Sequence, residues 1–189
     1  MVTPKDVRDF WLEAGPQSWY AVDESFDEDI RTRFRDTWQA AKDGKLGQEW
    51  TIGPEETLAY LILVDQLPRN MFRGEGRAFS TDRLARAIAK KAIDKKWDLR
   101  VAEPQRQFFY LPLMHSECLI DQERCVRLML TRMPEAGEGN LLHAKAHREV
   151  IRRFGRFPYR NDALSRSTSP NEAEFIAAGG YSAAIEAVA

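Results

Sequence analysis

The chain has 189 residues, 43% of them apolar and 30% charged, with a formal net charge of −1. That composition suits a soluble globular protein with a sizeable core and excludes a disordered chain. The balanced charge argues against a protein devoted to the nucleic-acid backbone, and the longest apolar run, Leu58 to Val64, is far too short to cross a bilayer.

The helical period recurs along the sequence, and no alternating Val/Ile/Thr-rich stretch competes with it. Thr3-Pro4 reads as an N-cap followed by proline at the first helical position. The helix it opens buries Val7, Phe10 and Trp11 and ends at Gly15-Pro16. The N-terminal MVTPKDVRDFW lacks a basic segment followed by an apolar one, so no signal peptide is expected. Residues 15–24 form a loop whose Trp19 and Tyr20 make it more than a linker. A second helix spans about 25–42, with Phe26, Ile30, Phe34, Trp38 and Ala41 as its apolar stripe and Gly44 as its stop. Gly53-Pro54-Glu55-Glu56 opens a third helix with acids at its positive end.

This third helix organises the rest. Leu58–Val64 is apolar all round, as in a buried helix. Asp65 lies over Leu58, Leu61 and Ile62 at spacings of seven, four and three, so its carboxylate is aimed along a core face. Pro68 is expected to end the helix, leaving Asp65 in a last turn where the macrodipole disfavours an anion. Burial and dipole together call for a cation, and Arg69 and Arg73 are nearest.

Ser80-Thr81-Asp82 starts a fourth helix running to about 96, with Leu84, Ala85, Ile88, Ala89 and Ala92 inward and its lysines in solvent. A short helix follows Pro104 and is interrupted at Pro112. A longer one spans roughly 115–132, with Cys118, Leu119, Cys125, Val126 and Met129 inward. The two cysteines lie about 10 Å apart on one face, too far to bridge. They read as reduced core thiols of a cytoplasmic protein. Residues 134–140 form a loop, and Leu141–Phe154 is helical. Ser169-Pro170-Asn171-Glu172 is a capping box opening a final helix that ends at Gly179-Gly180. The expectation is an all-α fold of about eight helices in one domain, residues 1–189.

The three histidines supply the candidate chemistry. His147 shares the inward face of its helix with His143, Val150, Ile151 and Phe154. It is either a core histidine satisfied by a local acceptor or a general base. His115 and Glu117 follow the Pro112 break and project from a helix start; Glu117 can equally complement the dipole. His143 and His147 have i, i+4 metal-ligand spacing, but no His-Glu-x-x-His signature or third ligand accompanies them, so no metal and no cofactor is expected. Arg156 and Arg160 lie in a tight FGRFPYRN segment. Asp65 and Glu117 are too few to neutralise Arg69, Arg73, Arg156 and Arg160 together, so a cleft holding all four would be positive and attract a carboxylate or phosphate. The alternative is a structural ion-pair network with acids the sequence does not place.

Several stretches resemble one bacterial family. They are Phe10-Trp11; the W-x(6)-F-D-x-x-I-x-x-R-F spacing from Trp19 to Phe34; LVDQLPRNMFRGEGRAFSTD (63–82); FFYLPLMHSE (108–117); and HREVIRRFGRFPYRN with STSPNE (147–172). Together the chain resembles the family catalogued as domain of unknown function 924. The family pattern usually has histidine where this chain has Tyr159, and His143 matches nothing in it. The resemblance implies an antiparallel helix-pair arrangement similar to tetratricopeptide-repeat superhelices, and no activity. Such superhelices commonly hold a ligand on a concave surface.

Three functions follow as expectations. The first is a cytoplasmic binding domain for an anionic small molecule or carboxylate-bearing peptide, lined by Asp65, Arg69, Asn70, Arg73, His115, Glu117, His147, Arg156 and Arg160. The second is an enzyme, a hydrolase or lyase, with His147 or His115 as base and Asp65 or Glu117 orienting it. The third is a structural or partner-binding scaffold. Neither nucleic acid nor membrane is an expected partner, and nothing in the sequence fixes the oligomeric state.

Overall fold

A computed structural model describes residues 1–189. It is all-helical, without strands, and divides into two compact units, Met1–Phe109 and Tyr110–Ala189. No helix is long and apolar enough to cross a membrane.

In the first unit, α1 (Pro4–Ala14) opens on a capping box in which Thr3 and Asp6 satisfy each other's backbone N–H groups. Asp23 caps α2 (Glu24–Lys42) by accepting from the N–H groups of Ser25 and Phe26. The buried stripe of α2 holds Ile30, Phe34 and Trp38, while Phe26 is only half-buried. α3 (Pro54–Leu61) packs against α1 and α5 (Asp82–Asp94). The loop after α1 turns Trp19 inward: its ring stacks on Trp11 at 6.5 Å and its indole N–H donates to the Trp11 carbonyl at 2.7 Å. That bond explains why an aromatic loop stays folded: the buried indole has an acceptor.

Pro68 does not end the organising helix. After Leu61 the chain widens into a π-helical turn, Ile62–Gln66, and continues as α4 (Leu67–Met71). The Leu67 N–H reaches back five residues to the Ile62 carbonyl. A proline clashes with the carbonyl four residues before it and offers it no N–H; here that carbonyl belongs to Val64. It accepts instead from the Thr81 hydroxyl at 2.6 Å, and Trp38 Nε1 donates to the same hydroxyl at 3.2 Å. The π turn makes room for the ring, and Thr81 replaces the lost donor. Asp65 therefore sits in mid-helix and not at a C-terminus.

The second unit begins with α6 (Leu111–Met114), followed by the hairpin of α7 (Leu119–Arg132) and α8 (Glu138–Phe154), which pack against each other. α8 ends at Gly155, whose φ of +69° is the left-handed cap and whose N–H returns to the Ile151 carbonyl. The Ser169–Glu172 capping box starts α9 (Pro170–Ala177) as expected from the sequence. A further helix, α10 (Tyr181–Glu186), follows Gly179-Gly180. Ala146, Val150, Ile151, Phe157, Phe175 and Ala184 form the core of this C-terminal half. The α-helices beyond those expected arise at the π turn, at Pro112 and after Gly180, while the helix expected after Pro104 is a 3-10 turn, Gln105–Phe109.

Cys118 and Leu119 are exposed, contrary to the inward stripe read from the sequence. α7 starts one residue after Cys118, which is its N-cap in extended conformation, so the helical period does not apply to it. Cys125 is buried, and burial pushes its thiol well above the usual range. Both thiols are free. Native protein is therefore expected to consume one equivalent of a bulky thiol reagent quickly, at Cys118, and the second only on unfolding; equal fast labelling in a stopped-flow assay would remove Cys125 from the core.

Candidate functional site

The first unit carries two charged clusters. Asp65 is 1% exposed, and the Gln66 amide donates to its carboxylate. Arg69 reaches it from one turn further on, with Nη1 3.5 Å from Oδ1, and also donates to the Asp65 carbonyl. The other nitrogen of Arg69 donates to Asp82 at 3.0 Å. Burial pulls the Arg69 guanidinium down, but the two carboxylates more than offset it and hold it above its ordinary range. One and four residues further on, Asn70 and Arg73 converge on buried Asp27. Asn70 donates to Oδ1 at 2.8 Å, and Arg73 engages both carboxylate oxygens while donating to the Ala21 carbonyl at 3.0 Å.

A pocket of about 790 Å³ opens beside this triad, with Glu24, Asp27, Glu28 and Glu75 facing Arg31 and Arg73. Four acids against two arginines make it net negative. The positive cleft expected around Asn70 and Arg73 is therefore not what surrounds them.

In the second unit, Glu117 accepts Arg166 through both oxygens, at 2.8 and 3.0 Å, and the Phe157 N–H at 2.9 Å. Burial raises its carboxyl, but these bonds outweigh burial and leave it below the usual carboxylate range. Arg156 forks onto Glu172 at 2.6 and 2.8 Å, and Glu172 also closes the cap of α9 through the Ser169 N–H at 2.7 Å. Those bonds depress the Glu172 carboxyl to about 2. Together the two ion pairs fix the segment from Gly155 to Glu172.

That segment presents Arg160 and Phe157 to the histidines. Arg160 is 7% exposed, lies over the Phe157 ring at 4.4 Å and donates to the His115 carbonyl at 3.2 Å. His147 stands edge-on to Phe157 at 5.4 Å, and its ring centre is 6.4 Å from that of His115. His147 Nδ1 is 2.8 Å from the His143 carbonyl and 3.1 Å from the Tyr181 hydroxyl. A carbonyl only accepts, so Nδ1 carries the proton and Nε2 carries the lone pair. Tyr181 then gives its own proton to His143 Nδ1 at 2.8 Å. Burial, joined by the positive field of His115, Arg160 and His143, outweighs the Nδ1 bond to the His143 carbonyl and lowers His147 to about 3. His147 is neutral at physiological pH.

The structure thus sorts the sequence-predicted residues by role. Asp65 meets Arg69, Asn70 meets Arg73 on Asp27, and His115, His147 and Arg160 cluster in the second unit. Glu117 and Arg156 serve as loop anchors. The shortage of acids read from the sequence is corrected: Asp27 takes Arg73, Asp82 takes Arg69, Glu172 takes Arg156, and Glu117 takes Arg166. Asp27, Asp82 and Glu172 all lie inside motifs quoted for the family resemblance, which was the signal available for them. Tyr181 had no such signal. No three His, Cys, Asp or Glu side chains are grouped to hold a metal ion.

Fold and clusters define an all-helical protein whose second unit uses two arginine–carboxylate pairs to fix the segment that meets a tautomer-fixed histidine. The chain belongs to the family described as bacterial protein of unknown function (DUF924), whose model matches residues 7–180. It is similar to the solved structure of the protein of unknown function ATU0120 from Agrobacterium tumefaciens, with 42% identity, a TM-score of 0.85, and coverage of 92% of this chain and 96% of that one. No curated protein matches it.

Proposed function

We propose that this is a cytoplasmic binding protein whose His147 cluster receives a small molecule or peptide bearing a carboxylate or similar anion beside an N–H or O–H donor. The observation that supports this reading is the state of His147. Its Nε2 lone pair can only accept a hydrogen bond, which selects a donor on the ligand. Arg160, held over the Phe157 ring and against the His115 carbonyl, is a permanent positive charge acting on it, which favours an anion alongside. An antiparallel helix-pair arrangement like that of tetratricopeptide repeats belongs to the same proposal; the α7–α8 hairpin is the element that supports it.

The enzyme alternative, a hydrolase or lyase using His147 or His115 with Asp65 or Glu117, has less support. A base held near 3 is far from the value that suits proton abstraction at neutral pH. The orienting groups of His147 are a carbonyl and a tyrosine, while Glu117 is engaged by Arg166. The scaffold alternative draws on the arginine pairs and predicts no ligand response.

Long-range ¹H–¹⁵N correlation of the imidazoles tests the proposal, with acetate, inorganic phosphate and acetyl-glycyl-glycine as probes. The expected result is a saturable shift of His147 Nε2 with acetyl-glycyl-glycine, weakened about tenfold or more in Arg160→Ala. A His147 signal that ignores all three probes at millimolar concentration sinks it and leaves the scaffold.

A further inference from the structure

The geometry points to α10 as a hinged flap over the histidines, with the Tyr181 hydroxyl as its latch and Gly179-Gly180 as its hinge. This rests on the reading of His147 as the ligand-receiving group. It adds what closes over the Nδ1 edge of that ring.

The latch is specific. Tyr181 is the first residue of α10, and its oxygen bridges His143 Nδ1 at 2.8 Å and His147 Nδ1 at 3.1 Å. Its ring lies nearly parallel to His143, at 6.0 Å and 14°, and meets His147 at 4.8 Å. One side chain thus covers the shared edge of both imidazoles and satisfies a polar atom on each.

The hinge is equally defined. Gly179 has φ +107° and Gly180 has φ +56° with ψ −120°. The second combination is open essentially to glycine alone. Space is not the reason: a Cβ at Gly180 would meet nothing closer than the Ile176 Cα at 3.8 Å. The backbone conformation that swings α10 onto α8 is what requires glycine.

The flap itself is weakly held. It has six residues, too few for a helix to be stable alone. It is attached by buried Ala184 and by partly buried Tyr181, Ile185 and Val188. A short element with so small a buried face belongs to the class that opens locally while the rest stays folded.

The test uses the ligand-free protein, so its result is independent of the probe titration above. Hydrogen exchange followed by mass spectrometry compares residues 181–189 with residues 144–151 of α8, and diethyl pyrocarbonate labelling of His147 is measured alongside. Tyr181→Phe keeps the ring and removes the latch. It should speed exchange in 181–189 by roughly fivefold to tenfold, leave 144–151 unchanged, and raise His147 labelling in parallel. Gly180→Ala should act in the same direction by straining the closed hinge. If α8 exchanges together with α10 in both variants, there is no separable flap. If α10 loosens but His147 labelling stays constant, α10 does not control access. Unchanged exchange in both variants overturns the latch and the hinge together.

Discussion

Replacing Asp65 by alanine is expected to destabilise the first unit by about 3–5 kcal/mol, the usual cost of breaking a buried charged pair from one side. The carboxylate is 1% exposed and takes up the Gln66 amide and the Arg69 guanidinium. Its loss leaves a buried amide without that acceptor and a half-buried cation with one fewer partner. Arg69 is not stranded, because Asp82 holds its other nitrogen at 3.0 Å. Asp82 is more accessible, with its side chain 14% exposed, so Asp82→Ala should cost less, about 1 kcal/mol. The double variant Asp65→Ala, Arg69→Ala should cost less than the sum of the singles, because the second change removes the charge the first left poorly compensated. All five tryptophans, Trp11, Trp19, Trp38, Trp50 and Trp97, fall in the first unit, so urea unfolding followed by tryptophan fluorescence reads this unit. An unchanged midpoint in Asp65→Ala would refute the organising role of the stretch.

Acidification is expected to destabilise the second unit through His147. The group titrates near 3 in the folded protein and at its ordinary value of 6.5 when unfolded. The folded state therefore binds fewer protons between those values. The stability it contributes is fully present above 6.5 and is lost as pH falls toward 3. Each pH unit in that window is worth at most about 1.4 kcal/mol, and the total is on the order of 3 kcal/mol once screening of the half-buried ring is allowed for. The depressed carboxyls of Glu117 and Glu172 act in the same direction, but only as pH falls below their unfolded value of 4.5. The interval from 6.5 to 4.5 therefore separates His147 from them. Urea unfolding followed by a backbone signal of the second unit at four pH values should show the decline, and His147→Asn should flatten it. Equal slopes in the two proteins would mean that His147 is not held neutral by the fold.

Part of this was legible in the chain because it is local. The helices follow from periodicity. The Ser169–Glu172 cap follows from a motif four residues long, and Asp65 beside Arg69 follows from i, i+4 geometry that survives the π turn. The burial of Asp65 followed from its register over Leu58, Leu61 and Ile62. The family resemblance was carried by contiguous runs of residues and was equally readable. The i, i+4 spacing of His143 and His147 also put both side chains within reach of one group, without naming that group.

The rest was decided by tertiary structure. Arg73 pairs with Asp27 across 46 positions, Arg166 with Glu117 across 49 and Tyr181 with His147 across 34. No window of sequence contains both partners, and a charge on a helix face finds its counter-ion only after helices have packed. The same holds for Pro68, whose helix-breaking chemistry is local but whose cure, the Thr81 hydroxyl on the Val64 carbonyl, comes from 17 residues away. Sequence thus determined which groups this protein possesses and where its helices run. Packing decided which charges cancel and which nitrogen of His147 accepts, because hydrogen-bond partners are chosen by distance in space and not along the chain.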